Sequence, residues 1–176
     1  MNDLNHIHSI AKNIELVISD VDGVLSTGLI YMGNDGEELK TFHTRDGHGI
    51  KALMNHGIEF AVITGRQSKI VSNRMTSLGV KRVFQGNENK HAAFDSILQE
   101  LNLPPNQVAF IGDDLPDLPF IRKVGLGVAV ADALPVVVEN ANYVTQIKGG
   151  HGAVREVCDL ILEAKGLLEA HQSKYM

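Results

Sequence analysis

The chain of 176 residues is long enough to bury a full hydrophobic core and short enough to form one domain. It is 44% apolar and 21% charged, as in ordinary globular proteins, and no apolar run approaches the roughly 20 residues of a membrane span. A net charge of −5 argues against nucleic acid or an anionic membrane as partner, because both select basic surfaces.

In chain order, residues 1–13 lack the apolar core of a signal peptide. The run IELVIS (14–19) reads as a buried strand that ends on Asp20-Val21-Asp22-Gly23. Next, GLIYMGNDGEELKTF (28–42) sets two short strand-like runs around Gly33-Asn34-Asp35-Gly36, a strong turn signal, and predicts an inserted β-hairpin. An isolated hairpin is marginally stable, so this one is expected to pack on its own domain or on another subunit. Further strands are expected at 58–64, 81–84, 107–112, 127–131 and 142–145, with helices at 46–56, 67–78, 89–102, 114–124 and 151–165. Gly57, Gly79 and Gly166 each follow a helical pattern, where a left-handed cap is wanted. This alternation implies a single α/β domain over 1–176, a doubly wound parallel sheet with helices on both faces, and a short tail of mixed polarity at 167–176. The lone Cys158 excludes an intrachain disulfide and fits a reducing compartment, so a cytoplasmic protein is expected.

In open parallel sheets, ligands bind beyond the carboxyl ends of the strands. Those ends carry Asp20 and Asp22, then Thr64-Gly65-Arg66, then Gly112-Asp113-Asp114 with Asp117, while Lys90 opens the helix after the third strand of the sheet. Two carboxylates one residue apart repel unless a cation lies between them or one is protonated. A carboxylate that attacks phosphorus, a neighbour that moves protons and a hard cation on oxygen ligands together explain the pair. Asp20, Asp113 and a main-chain carbonyl near Asp22 could hold Mg²⁺, and a Thr hydroxyl and a Lys ammonium would serve the remaining phosphate oxygens. Each group also has a plain reading. Asp-x-Asp can be a solvated turn, Asp113-Asp114 an N-cap, and Arg66 and Arg74 surface charges. GHGIKA (47–52) fits a dinucleotide-loop spacing, but no buried strand precedes it.

Taken in order, DVDGV, ITGR, Lys90 and GDDLPDL resemble the four motifs of the haloacid dehalogenase superfamily of phosphatases. The resemblance implies Asp20 as nucleophile, Asp22 as acid and base, and Thr64 and Lys90 as phosphate clamps. It also implies Mg²⁺ on Asp20, Asp22 and Asp113, with Mn²⁺ able to substitute, and Asp114 and Asp117 in support. Over nearly the whole chain, GLIYMGNDGEELKTFHTRDGHGIK, VAVADA and GGHGAVREVCDLIL look like the 3-deoxy-D-manno-octulosonate 8-phosphate phosphatase family. That implies release of phosphate from a phosphorylated sugar acid used for lipopolysaccharide. The substrate contacts carried over are Asp22, His43, Thr44, Arg45, Asp46, Gly47, Lys51, Gly65, Arg66, Arg74 and Lys90.

Thr44 departs from the expected aliphatic residue, and His151 stands where relatives can carry a basic one. A sialic-type 9-phosphate as substrate, and a non-catalytic assembly module, are the alternative readings. The intervals from Asp22 to Thr64 and from Thr64 to Lys90 leave no room for a cap domain. The resemblance implies a homotetramer, with hairpins in a central barrel and neighbours against each site. The tail at 167–176 could reach over an adjacent site as a lid.

Overall fold

The computed structural model describes residues 4–86 and 90–176. Its elements, in chain order, are α1 (Leu4–Ala11), β1 (Leu16–Ser19), β2 (Tyr31–Met32), β3 (Glu38–Leu39), α2 (Thr44–Asn55), β4 (Glu59–Ile63), α3 (Lys69–Leu78) and β5 (Arg82–Phe84). There follow α4 (Lys90–Leu101), β6 (Val108–Gly112), α5 (Leu118–Lys123), β7 (Leu126–Ala129), α6 (Pro135–Asn140), β8 (Tyr143–Val144), α7 (Ala153–Ala164) and α8 (Leu168–Gln172). Residue 89, taken above as the start of the third expected helix, lies outside the described residues.

The sheet runs β5-β4-β1-β6-β7-β8, with every pairing parallel. Because side chains alternate across a strand, neighbouring residues enter different cores. Val17, Phe60, Val62, Ala109 and Ile111 join one cluster with α1, α2, α3 and α7. Leu16, Ile18, Ala61, Ile63, Val108 and Phe110 join the other with α4, α5 and α6. Each fully buried Leu, Ile or Phe contributes roughly 1.5–3 kcal/mol, so the two cores hold β1 from both sides. The doubly wound arrangement is as expected, and β1 lies at its centre, where the strand order reverses.

The hairpin forms as the turn residues predict. Tyr31 faces Leu39, Met32 faces Glu38, and the Gly33 N–H donates to the Glu37 carbonyl at 2.8 Å. Gly57, Gly79 and Gly166 all take positive φ, as their capping positions require. Two glycines inside α2 run against helix propensity by about 1 kcal/mol each relative to Ala. Packing explains them: a Cβ on Gly49 would come within 2.9 Å of Arg155 and 3.1 Å of Cys158, and one on Gly47 within 2.4 Å of Arg74. The helix expected at 114–124 starts as a 3₁₀ turn, Leu115–Asp117, and continues as α5. Residues 168–175, read above as a tail, form α8 and a 3₁₀ turn. His171 anchors this segment: it is buried, with Nε2 3.3 Å from Nε2 of His48.

Candidate active site

At the carboxyl ends of β1, β4 and β6 an open cleft of about 450 Å³ is lined by Asp20, Asp22, Thr64, Gly65, Arg66, Lys90, Asp113, Asp114 and Pro116. A cavity of about 750 Å³, near Arg45, His151 and Arg155, is larger. Size does not locate the chemistry: among the described residues, oxygens of three carboxylates crowd within 4.8 Å of one another only beside the smaller cleft, at Asp20, Asp113 and Asp117.

Asp20 leaves β1 with its main-chain N–H bonded to Ile111 of β6, which fixes it at the strand end. Its Oδ1 accepts from the Val21 N–H at 2.7 Å, and its Oδ2 lies 3.0 Å from Lys90 Nζ. Lys90 also donates to Asp117 Oδ1 at 2.8 Å, so one buried ammonium bridges two carboxylates. The other Asp117 oxygen accepts from the Asp113 and Asp114 N–H groups at 3.1 and 3.4 Å. Asp114 caps the 3₁₀ turn through the Leu115 N–H. Its plain reading as an N-cap therefore holds alongside any supporting role. Thr64, also buried, is fixed by its N–H on the Phe84 carbonyl at 2.9 Å.

The electrostatics are strained. Burial, then Asp117, push the Asp20 carboxyl up to about 6, with Lys90 opposing. Burial, then Asp117, Asp20 and Asp114, push Asp113 up to about 7. Desolvation alone would lower Lys90, but Asp20 and Asp117 outweigh it and hold the ammonium charged. Oxygens of Asp20, Asp113 and Asp117 all lie within 4.8 Å of one another, and Asp113 Oδ1 is buried without a hydrogen-bond partner. A Cβ on Gly23, whose φ is +91°, would fall 2.1 Å from Asp113 Oδ2, so only glycine admits that carboxylate. An orphaned oxygen among crowded carboxylates, with no nitrogen or sulfur donor in the set, fits a hard dication such as Mg²⁺.

Asp22 lies outside the carboxylate cluster. Its two oxygens accept from Lys40 Nζ at 2.6 and 2.8 Å, and Ser26 Oγ donates to Oδ1 at 3.2 Å. Its side chain is engaged by Lys40 and Ser26 and does not join the crowded oxygens of Asp20, Asp113 and Asp117. Lys40 was not among the residues singled out from sequence. Its only local sign is the alternation Glu38-Leu39-Lys40 on a hairpin close behind the two aspartates.

The remaining substrate residues separate into two groups. Gly65 and Arg66 line the cleft with Asp22 and Lys90. His43, Thr44, Arg45, Asp46, Gly47, Lys51 and Arg74 do not. Arg45 lines the larger cavity, and His43, Asp46, Gly47 and Arg74 surround a small gap at the start of α2. There His43 caps the helix, accepting from the Arg45 N–H, and Asp46 accepts from the Arg155 N–H at 2.8 Å. Burial raises the Asp46 carboxyl, and that N–H opposes the rise.

The segment 149–152 also gains a reason. The Gly150 N–H donates to the Val24 carbonyl at 2.8 Å, and a Cβ on Gly149 would fall 1.7 Å from the Gly23 carbonyl. These glycines let the loop press against the turn that carries Asp22.

The haloacid dehalogenase-like hydrolase family pattern matches residues 79–157. A 3-deoxy-D-manno-octulosonate 8-phosphate phosphatase of Salmonella typhi is 56% identical over 164 residues, covering 93% of this chain and 87% of that protein. The crystal structure of the phosphatase of that name from Moraxella catarrhalis, in complex with magnesium, phosphate and 3-deoxy-D-manno-octulosonate (KDO), superposes with a TM-score of 0.96. Identity is 40%, over 99% of this chain and 100% of the other. The cobalt-bound Haemophilus influenzae phosphatase superposes with a TM-score of 0.88 at 42% identity, over 92% of this chain and 94% of that one.

Proposed function

Since the chain belongs to the 3-deoxy-D-manno-octulosonate 8-phosphate phosphatase family of haloacid dehalogenase-like hydrolases, we propose that it hydrolyses this sugar phosphate through an aspartyl phosphate on Asp20. One observation carries the reading. A buried carboxylate at the central strand end is flanked by a lysine, a crowded carboxylate cluster with an orphaned oxygen, and a second aspartate held apart from that cluster.

Asp20, Asp113 and the main chain of Asp22 would hold Mg²⁺, which Mn²⁺ or Co²⁺ could replace. When bound, the ion supplies the positive charge that offsets repulsion between Asp20 and the phosphate dianion. Asp20 Oδ attacks phosphorus, forming one P–O bond as the bond to the sugar O8 breaks. Asp22 gives its proton to that leaving oxygen, then takes one from the water that cleaves the acyl phosphate and restores Asp20. Lys90 and the Thr64 hydroxyl donate to the equatorial oxygens, and Asp117 keeps Lys90 beside Asp20. Gly65 and Arg66 face the substrate from the end of β4, where a guanidinium suits the sugar carboxylate.

The finer features of the reading concern assembly. We take the protein to be a cytoplasmic homotetramer built through its hairpins, which leave Leu29, Tyr31 and Leu39 exposed, with Tyr31 and Leu39 paired on one face. His43, Thr44 and Arg45 with Lys51 and Arg74 stand outside the cleft of their own chain, as groups that serve a neighbour's site would, whereas Asp46 and Gly47 are buried. Among the described residues no helix is long and apolar enough to cross a membrane.

A Mg²⁺-dependent phosphate-release screen across phosphorylated sugars tests the substrate. Selective release from 3-deoxy-D-manno-octulosonate 8-phosphate is expected. A preference for a sialic-type 9-phosphate would reassign the sugar, and no release from any ester would overturn the activity.

A further inference from the structure

The hairpin has two unlike faces. Successive residues of an extended strand point to opposite sides, so Glu38 and Lys40 turn one way and Leu39 the other. Leu39 is 66% exposed, whereas the Lys40 side chain is fully buried. Lys40 Nζ donates to both oxygens of Asp22, at 2.6 and 2.8 Å, and lies 3.6 Å from Glu38. Glu38 in turn stands 3.5 Å from the Arg66 guanidinium, and its Oε1 is buried without a hydrogen-bond partner. Arg66 Nε is 3.9 Å from Asp22. A buried ammonium is a poor way merely to attach a hairpin, since an apolar side chain would do so without the desolvation penalty. Its two-oxygen grip fixes the torsion of the Asp22 carboxylate, which Ser26 holds from one side only.

We propose that Lys40 is the positioning residue for Asp22. It grips both oxygens of Asp22 in the ionised state, and when one oxygen carries the proton for the leaving group it holds the other, so the carboxyl stays turned towards the reacting phosphate and the hairpin becomes a working part of the active site. The proposal rests on the phosphatase reading above. It also identifies what the hairpin carries into the site: a charged face, Glu38 and Lys40, that orders Asp22 and Arg66 together. No proton is added to the balance. One passes from Asp22 to the sugar oxygen, and one returns from the attacking water.

Leaving-group chemistry provides the test. A sugar alkoxide needs a proton as it leaves, while 4-nitrophenolate departs without one, so an effect on Asp22 placement must discriminate between the two. Phosphoenzyme formation is followed by rapid quench under saturating Mg²⁺ for wild type, Lys40→Met and Lys40→Arg. Lys40→Met is expected to slow the first step with the sugar phosphate on the order of 10²-fold while changing the 4-nitrophenol burst less than about threefold. Lys40→Arg, which keeps a cation within reach, should restore much of the loss. If Lys40→Met does not fold, Lys40→Gln carries the same comparison. Equal slowing of both esters, or an unchanged rate with the sugar phosphate, would overturn the assignment while leaving the activity standing. A wild-type protein that hydrolyses neither ester would overturn both.

Discussion

Replacing the nucleophile should make the metal-free protein more stable while abolishing turnover. Without a cation, burial and the charge on Asp117 hold the Asp20 carboxyl near 6, against 3.8 for an unperturbed aspartate. The folded state therefore prefers Asp20 protonated. Its relative stability is fully present below about pH 4 and is lost as pH rises through about 6. At 1.36 kcal/mol per pKa unit, the distance from 3.8 to about 6 corresponds to about 3 kcal/mol of destabilisation at neutral pH. Asn carries no charge at any of these pH values. Asp20→Asn should thus exceed wild type by about 1–3 kcal/mol in urea denaturation with EDTA at about pH 7.5, and the gap should narrow towards about pH 4. Saturating Mg²⁺ should then raise wild type more than the variant, because only wild type retains the full ligand set. A variant less stable than wild type in EDTA at neutral pH, or a gap that ignores pH, would refute this account of the carboxylate cluster.

Other consequences follow from single features. Gly149→Ala would drive a methyl into the Gly23 carbonyl, and overpacking of that kind costs about 1–3 kcal/mol, so both melting temperature and activity should fall. Activity should vanish in EDTA and return with Mg²⁺ or Mn²⁺, while Ca²⁺, with its longer bonds and higher coordination number, should inhibit in a competition assay. Burial, then His48 and His56, lower the pKa of His171, so the folded state prefers it neutral. The anchorage of α8 should be intact above about pH 6.5 and weaken as pH falls below it, seen as faster proteolysis between α7 and α8 in mild acid.

The strands were legible because their residues are apolar and β-branched, and the motif residues because each ends such a run. Turn chemistry placed the hairpin, and the order of strand ends placed Asp20, Thr64, Lys90 and Asp113 on one rim. Three helices were missed for physical reasons. In α6, Pro135 begins a run of three valines, whose side chains favour strands, and only packing against β7 and α5 makes them helical. The helices α1 and α8 are eight and five residues long, too short to show a period without the core they touch.

Within the site, the pairing of Lys40 with Asp22 spans eighteen residues and no local pattern encodes it. The division of the substrate residues between the cleft and the start of α2 is a matter of three-dimensional placement. Linear order sets His43 to Lys51 between two cleft motifs, yet α2 carries Arg45 to the larger cavity and His43, Asp46 and Gly47 to a small gap.

The central claim is that Asp20 carries the phosphoryl group. Wild-type protein with Mg²⁺ and labelled sugar phosphate, quenched in acid within its first turnover and mapped by mass spectrometry, should yield a phosphorylated peptide containing Asp20. The label should be absent from Asp20→Asn. Full turnover with no acyl phosphate in any quench, or a label on another residue, would contradict the account.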